Sequence, residues 1–256
     1  MKKAIIGGTG VYSLKEELRT QCVTTPFGEV TVFVASIGDE EIVFLPRHGK
    51  THSVPPHLVN YRANIKALEM LGVKYVYATG AVGSMNQDYA PGDIVMINDF
   101  LDFTKNRPLT FFDGETHRVG HVDMTEPYCP NLREKFYEAA REEGLRIKGE
   151  GVYVCTEGPR FETAREISMY QSLGGDVVGM TNIPEAVLAK EFGMCYQVIA
   201  MVTNWCTGVK ESPIAMHDIE TALGDNKEKI SRVFLKVFQK TLDQDHCHCS
   251  DSVVFL

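Results

Sequence analysis

The 256-residue sequence contains no apolar run that approaches the ~18 residues a membrane-spanning helix needs. The apolar run at residues 4–6 ends at once in the glycine-rich segment 7–10, which is too early for a signal peptide. Long basic runs are also missing, and the net charge of −8 argues against nucleic acid or an anionic membrane as partner. We therefore predict a cytoplasmic protein that binds neither.

The seven cysteines lack the even number and regular spacing of a secreted disulfide framework. One dense group, Cys247-His248-Cys249 beside His246, can bind metal, form a strained disulfide or lie idle in a frayed tail, and we favour the idle tail. There is no internal repeat and no low-complexity segment. The length then predicts a single domain over residues 1–256, with residues 243–256 as a C-terminal tail.

Runs with strand spacing alternate with runs of helical spacing, which predicts an α/β fold. A first strand pair turns at Gly38-Asp39. The predicted strands are residues 4–6, 30–36, 41–45, 73–78, 93–97, 151–156, 177–180 and 195–203. The predicted helices are residues 60–71, 131–144, 164–173, 183–192 and 225–242. In such sheets, binding sites form at the carboxyl ends of the strands.

Small or polar residues follow five of these strands, and their amides, guanidinium and imidazole groups are typical anion ligands. They are Gly7-Gly8-Thr9-Gly10, Arg47-His48, a predicted small-residue loop at 79–84, Met180-Thr181-Asn182 and Thr203-Asn204-Trp205-Cys206. Each signal is weak alone, because a tight turn, a surface pair or a core methionine also explains it. Together they suit one anion and one polar heterocycle.

The segment Gly158-Pro159-Arg160-Phe161-Glu162-Thr163 precedes a predicted helix, which Thr163 and Glu166 can cap. A ring face beside a carboxylate suits a planar heterocycle with an N–H, such as a purine. The plainer interpretation is a core phenylalanine next to a solvated glutamate.

The ordered segments together resemble the purine nucleoside phosphorylase superfamily, specifically its methylthioadenosine phosphorylase branch. The matching segments are 5–10, 25–28, 47–49, 59–64, 80–84, 91–95, 126–130, 157–161 and 180–185. The resemblance implies a single-domain α/β fold, with helices flanking a mixed, distorted β-barrel. It also implies trimers or dimers of trimers. The implied reaction cleaves purine nucleosides with phosphate to free base and pentose-1-phosphate, without metal or cofactor.

The resemblance also assigns roles to individual residues. Those expected to bind phosphate are Thr9, Arg47, His48, the amides of Gly80 and Ala81, and Thr181. Met180 is expected under the ribose, Phe161 against the purine and His121 in the pocket of a neighbouring subunit. Phosphate held by such donors stabilises the cationic ribose, and a donor at purine N7 stabilises the leaving base. We assign these two catalytic roles to His48 and Asn204.

The base end departs from the methylthioadenosine enzymes, which carry Thr-Asp-x-Asp where this chain has Thr203-Asn204-Trp205-Cys206. Both carboxylates are therefore absent, and Glu162 replaces a small hydroxyl residue. Asn204 can donate to O6 of a 6-oxopurine while its carbonyl faces N7, and Glu162 can accept the N1 proton. We expect Trp205 and Cys206 beside them, and inosine and guanosine as substrates.

The 5′ end leaves alternatives open. His217 suits a 5′-hydroxyl group, whereas Met216 suits a methylthio group, so methylthioadenosine and methylthioinosine stay in consideration. Two other classes also stay open: a nucleoside-binding protein without turnover, and an oxidoreductase that binds a dinucleotide at residues 7–10. The oxidoreductase fingerprint lacks its third glycine. Some heat-adapted relatives suggest Cys247–Cys249 and Cys129–Cys195 disulfides.

Overall fold

The computed structural model describes residues 2–7, 18–37, 40–49, 51, 53–114, 119–210 and 229–256. The strands are β1 (Lys2–Gly7), β2 (Arg19–Thr25), β3 (Gly28–Ile37), β4 (Glu40–Pro46), β5 (Val73–Ser84), β6 (Ile94–Phe103), β7 (Gly120–Val122), β8 (Gly149–Thr156), β9 (Val177–Gly179), β10 (Cys195–Trp205) and β11 (Val253–Phe255). The helices are α1 (Tyr61–Met70), α2 (Pro130–Glu142), α3 (Ala164–Ser172) and α4 (Asn182–Glu191), with a 3₁₀ turn at Pro56–Leu58 and further helix at 229–238.

Nine strands form one mixed sheet in the order β10-β6-β8-β9-β5-β1-β4-β3-β2. Strand β10 also pairs with β5, which closes the first five strands into a barrel. Within it, β6–β8, β8–β9 and β5–β10 are parallel, whereas β6–β10 and β5–β9 are antiparallel. The predicted α/β class and mixed barrel are confirmed.

Helices cover both faces of the sheet, because its strands bury side chains on both sides. In β1 the side chains alternate: Ala4 and Ile6 join one core cluster with α1 and α4. Ile5 joins the opposite cluster, with α2 and the helix at 229–238. Neither α1 nor any other helix of the described ranges is long and apolar enough to cross a membrane.

The small-residue loop predicted at 79–84 is wrong, because β5 continues through it to Ser84. Strand β10 pairs with β5 along this whole stretch, from Cys195 opposite Tyr75 to Trp205 opposite Ser84. A distant partner therefore holds extended a segment whose composition favours a turn.

The other edge of β5 changes partner part-way along. Strand β1 pairs with β5 as far as Ala78, and β9 pairs with it from Gly83 onward. On this edge no described strand pairs with the intervening residues 79–82. The barrel therefore diverges from the rest of the sheet here, and a topological switch of this kind is where α/β proteins bind ligands.

The prediction of a frayed C-terminal tail is also wrong. Strand β11 pairs antiparallel with β7, so that Val254 lies opposite His121. Ser252 is buried and donates a 2.8 Å hydrogen bond to the carbonyl of Lys190. Phe255 packs edge-on against Phe112, with 5.5 Å between the ring centroids. Strand pairing and apolar contact thus order the tail. Fraying was predicted from its polar cysteine-histidine run alone, which does not reveal these partners.

The predicted capping box at α3 is confirmed. Thr163 accepts a hydrogen bond from the Glu166 amide, and the Glu166 carboxylate accepts one from the Thr163 amide. Hydrogen bonds from Arg160 and the Thr163 amide lower the pKa of Glu166 to about 2. The helix entrance next to Phe161 and Glu162 is therefore fixed locally.

Replacing Thr163 by alanine should lower the free energy of unfolding by about 1 kcal/mol, because one amide at the start of α3 loses its acceptor. Thr163→Ser keeps the hydroxyl and should stay close to wild type. Urea denaturation of the three proteins measures the difference. Equal unfolding midpoints for alanine and serine would show that the cap contributes nothing.

Candidate active site

A buried ion pair joins the end of β4 to the first turn of α4. The guanidinium of Arg47 donates from Nε to Glu185 Oε1 at 2.5 Å and from Nη2 to Oε2 at 2.8 Å. Both side chains are at most 2% exposed. Burial alone lowers the pKa of Arg47, but the Glu185 carboxylate raises it above its ordinary value. Arg47 is therefore a fixed cation.

Two further groups hold this pair in place. Arg47 Nη1 donates to the carbonyl of Thr79 on β5 at 2.9 Å. The Tyr196 hydroxyl donates to Glu185 Oε2 at 2.7 Å. Burial and the neighbouring carboxylate raise the pKa of Tyr196, which keeps this hydroxyl a donor. The guanidinium consequently lies beside the unpaired stretch of β5.

The N-terminus of α4 faces the same place. Thr181 is the N-cap residue, and its side chain makes no capping hydrogen bond. A side chain at Gly80 would lie 2.8 Å from Asn182 Oδ1, so only glycine lets β5 and α4 approach this closely. Ala81, next along β5, is exposed between buried neighbours. Helix N-termini and amides at an unpaired strand edge attract anions, so Arg47, Thr181 and the Gly80–Ala81 segment can share one.

His48 follows Arg47 and is half-buried. Its Nδ1 lies 2.8 Å from the carbonyl of Val54. Because a carbonyl only accepts, Nδ1 must carry the proton, and the ring orientation is thereby fixed.

Phe161 and Glu162 follow β8, beyond a cis Gly158-Pro159 bond. The Phe161 side chain is 54% exposed, whereas Glu162 is only 8% exposed. Glu162 Oε1 accepts a 2.6 Å hydrogen bond from Thr156, and Oε2 makes none to the described part of the chain. An exposed ring thus stands beside a buried carboxylate with one oxygen to spare, which excludes the interpretation as a core phenylalanine and a solvated glutamate.

Asn204 lies near the end of β10, and its amide is only partly used. Its Oδ1 accepts from Thr203 at 2.8 Å, and its Nδ2 donates to the Trp205 carbonyl at 2.9 Å. A primary amide has two donor hydrogens and two acceptor positions. Among the described residues, one donor and one acceptor of Asn204 therefore have no partner.

The Cys206 thiol is related to both Asn204 and Glu162. A side chain at Gly83 would lie 2.9 Å from Cys206 Sγ and 3.2 Å from Asn204 Nδ2, so the three residues adjoin. Burial and the negative charge of the Glu162 carboxylate raise the pKa of Cys206 above its ordinary value. Asn204 thus adjoins a buried thiol whose pKa Glu162 also affects.

The sequence model of the family described as Phosphorylase superfamily matches residues 2–239. The chain belongs to this superfamily. The superfamily assignment leaves no role for the dinucleotide-dependent oxidoreductase considered above.

Among its relatives, the 6-oxopurine nucleoside phosphorylase of Pyrococcus furiosus is 49% identical, over 98% of this chain and 97% of the relative. The S-methyl-5′-thioadenosine phosphorylase of the same organism is 44% identical, over 98% and 96%. The structure of methylthioadenosine phosphorylase from Schistosoma mansoni with adenine matches with a TM-score of 0.86. That match has 35% identity and covers 93% of this chain and 90% of the other.

Within this phosphorylase fold, the predicted site residues form two groups and an outlier. Arg47, Gly80 and Thr181 lie where β5 lacks a strand partner on one edge, Asn204 and Cys206 adjoin at the end of β10, and the charge of Glu162 acts on Cys206. Met180 lies between them. It directly precedes Thr181, and its sulfur would lie 2.5 Å from a Cβ atom at Gly158, in the segment that leads to Glu162. His121, the outlier, is exposed on β7. Thr9, Met216 and His217 lie outside the described residues.

Two residues of the candidate site, Glu185 and Arg107, were not predicted from the sequence. Glu185 appeared only inside a family segment, and its partner Arg47 is 138 residues away. Arg107 is 8% exposed, and it donates to the carbonyls of Met180, Thr156 and Glu157. It therefore ties the end of β8 to Met180. Neither has a local pattern, so the sequence offered no signal beyond a charged residue near apolar strands.

Glu185→Gln should lower the free energy of unfolding by about 3–5 kcal/mol, because it leaves the Arg47 charge buried without a counter-ion. Glu69→Gln is the matched control, since Glu69 pairs with Lys66 on an exposed helix face. Its cost should be at most about 1 kcal/mol. Chemical denaturation of both variants makes the comparison, and similar losses would contradict a special role for the buried pair.

Proposed function

We propose that this enzyme uses phosphate to cleave inosine and guanosine into free base and ribose-1-phosphate, as a step of purine salvage. The observation that carries the proposal is that Glu162, after β8, and Asn204, on β10, each keep hydrogen-bonding capacity that the described residues do not use. The 49% identical relative named as a 6-oxopurine nucleoside phosphorylase supports it.

The phosphate end supplies fixed donors. In this proposal the phosphate ligands are Arg47, an amide of the Gly80–Ala81 segment, the α4 N-terminus at Thr181, His48 and Thr9. As the glycosidic bond breaks, positive charge develops on the ribose above Met180. A bound phosphate stabilises that charge and attacks the anomeric carbon. Because Glu185 fixes Arg47, these donors need little reorganisation.

The base end stabilises the negative charge that develops on the leaving purine. The spare donor of Asn204 matches O6, and its spare acceptor matches a protonated N7. Glu162 Oε2 accepts from N1 and, in guanine, from the 2-amino group. Phe161 covers one face of the ring, with Trp205 and Cys206 around the edge. No metal or other cofactor enters this chemistry, and phosphate is the co-substrate.

Adenine fits this arrangement poorly. Its amino group would meet the Asn204 donor, and its N1 lone pair would meet the Glu162 carboxylate. Each mispaired buried group costs about 1–3 kcal/mol, and two give roughly 10²–10⁴-fold discrimination. This argues for 6-oxopurines over methylthioadenosine, although the 44% identical relative carries that name.

At the 5′ end, Met216 and His217 are the candidate contacts, so methylthioinosine is the second candidate substrate. We also propose a cytoplasmic homotrimer or dimer of trimers that completes each site with His121 from a neighbouring subunit. The exposed position of His121 on β7 supports that part of the proposal. The partners are then nucleoside, phosphate and further copies of the chain.

Base release from inosine should require added phosphate, because phosphate is the attacking group. Chromatography of the products with and without phosphate measures this. A panel of inosine, guanosine, adenosine and both methylthio nucleosides then ranks the substrates by kcat/KM. Hydrolysis without phosphate, or binding without turnover, would contradict the proposed reaction.

Asn204→Asp should raise the ratio of kcat/KM for adenosine to that for inosine by about tenfold or more, because the acid accepts where the amide donated. Asn60→Asp is the control, since Asn60 caps α1 and its substitution adds the same charge elsewhere. An unchanged ratio in Asn204→Asp, with the enzyme folded, would reject the base-recognition argument.

A further inference from the structure

Four of the seven cysteines meet at one place away from the candidate active site. Cys129 precedes α2, Cys195 begins β10, and Cys247 and Cys249 lie in the C-terminal tail. Their four sulfur atoms all lie within 4.8 Å of one another. The sulfur atoms of Cys195 and Cys247 are 3.6 Å apart. All four are unbridged, so the predicted Cys129–Cys195 and Cys247–Cys249 disulfides are not formed in this structure.

We propose that this cluster is a structural zinc site with four cysteine thiolates as its ligands. Zinc–sulfur bonds of about 2.3 Å in a tetrahedron place the sulfurs about 3.8 Å apart, close to the separations found here. Four sulfur ligands leave no open position, which is typical of structural rather than catalytic zinc. Soft thiolates in tetrahedral geometry select zinc over calcium or magnesium.

The surroundings of the cluster suit thiolates. Cys129 is the N-cap residue of the 13-residue helix α2, and its side chain makes no capping hydrogen bond. The positive end of that helix favours a negative sulfur. Gln244 Nε2 lies 3.5 Å from Cys195 Sγ and donates toward it, as an outer-shell group does for a metal ligand.

Burial also favours a metal. None of the four cysteines is more than 9% exposed. Zinc binding converts four thiols and Zn²⁺ into a tetrathiolate complex and four released protons, with no change of oxidation state. Two disulfides would instead need an oxidant to accept four electrons. The metal therefore accounts for four converging thiols without any further reactant.

The metal would connect the tail to the body of the fold. Cys247 and Cys249 lie just before β11, and β11 pairs with β7, which carries His121. Zinc at the cluster would thus help to hold the β7–β11 pair. This consequence concerns the order of the tail and is independent of which nucleoside the enzyme cleaves.

The test uses the full chain without a polyhistidine tag, purified with a thiol reductant. Elemental analysis should find about one zinc per chain. After removal by a chelator, Co²⁺ should bind with thiolate-to-metal charge-transfer absorbance, and Zn²⁺ should displace it. Zinc should raise the melting temperature of the reduced protein and slow amide exchange in β7.

Cys249→Ser and Cys195→Ser should lose the cobalt absorbance and the zinc-dependent melting shift. Cys22→Ser should keep both, because Cys22 is exposed on β2. Circular dichroism identifies a variant that fails to fold, and the wild-type titration decides the question in that case. The proposal is overturned if the reduced wild type binds neither Zn²⁺ nor Co²⁺. It is also overturned if the folded protein, purified without reductant, contains no metal, whether a thiol reagent then finds only Cys22, Cys155 and Cys206 free after unfolding or all seven cysteines.

Discussion

The buried pair of Arg47 and Glu185 is the constraint on which the rest of the site depends. Desolvating two charges is costly, and such a pair persists only where hydrogen bonds satisfy it fully. Here those bonds come from Thr79 on β5 and Tyr196 on β10. The end of β4, the middle of β5 and the start of α4 are thereby held together where β5 lacks a strand partner on one edge. A cation that cannot move away then stands beside open amides.

The two ends of the candidate site differ in how far their polar groups are hydrogen-bonded to the protein. At the proposed phosphate end, Arg47 and Glu185 are fully hydrogen-bonded to each other and to the protein, which fixes the position of the guanidinium. At the base end, Glu162 and Asn204 each keep part of their capacity unused. Unused donors and acceptors in a partly buried place penalise a ligand with the wrong pattern more than they reward the right one. In the proposed reaction, the fixed charge assists catalysis, and the unused donors and acceptors select the base.

Local features of the sequence predicted most of the elements. The apolar run of β1 and the capping box of Thr163 with Glu166 depend on neighbours in the chain, so they could be predicted without a structure. Long-range partners were not: residues 79–84 are strand because of β10, and Glu185 matters because of Arg47. The prediction of a frayed tail was wrong for the same reason, since only the fold brings β7 beside β11. Base-end residues were predicted from a departure within a family pattern, whereas Arg107 had no pattern at all.

The pairing of β7 with β11 has a consequence for biosynthesis. The ribosome makes Gly120–Val122 long before Val253–Phe255, and at usual translation rates the interval is on the order of ten seconds. During that time the early strand has an uncovered edge, which is a site for unwanted pairing with other chains. Nascent chains of this protein therefore pass through a vulnerable period that ends only when the final strand emerges.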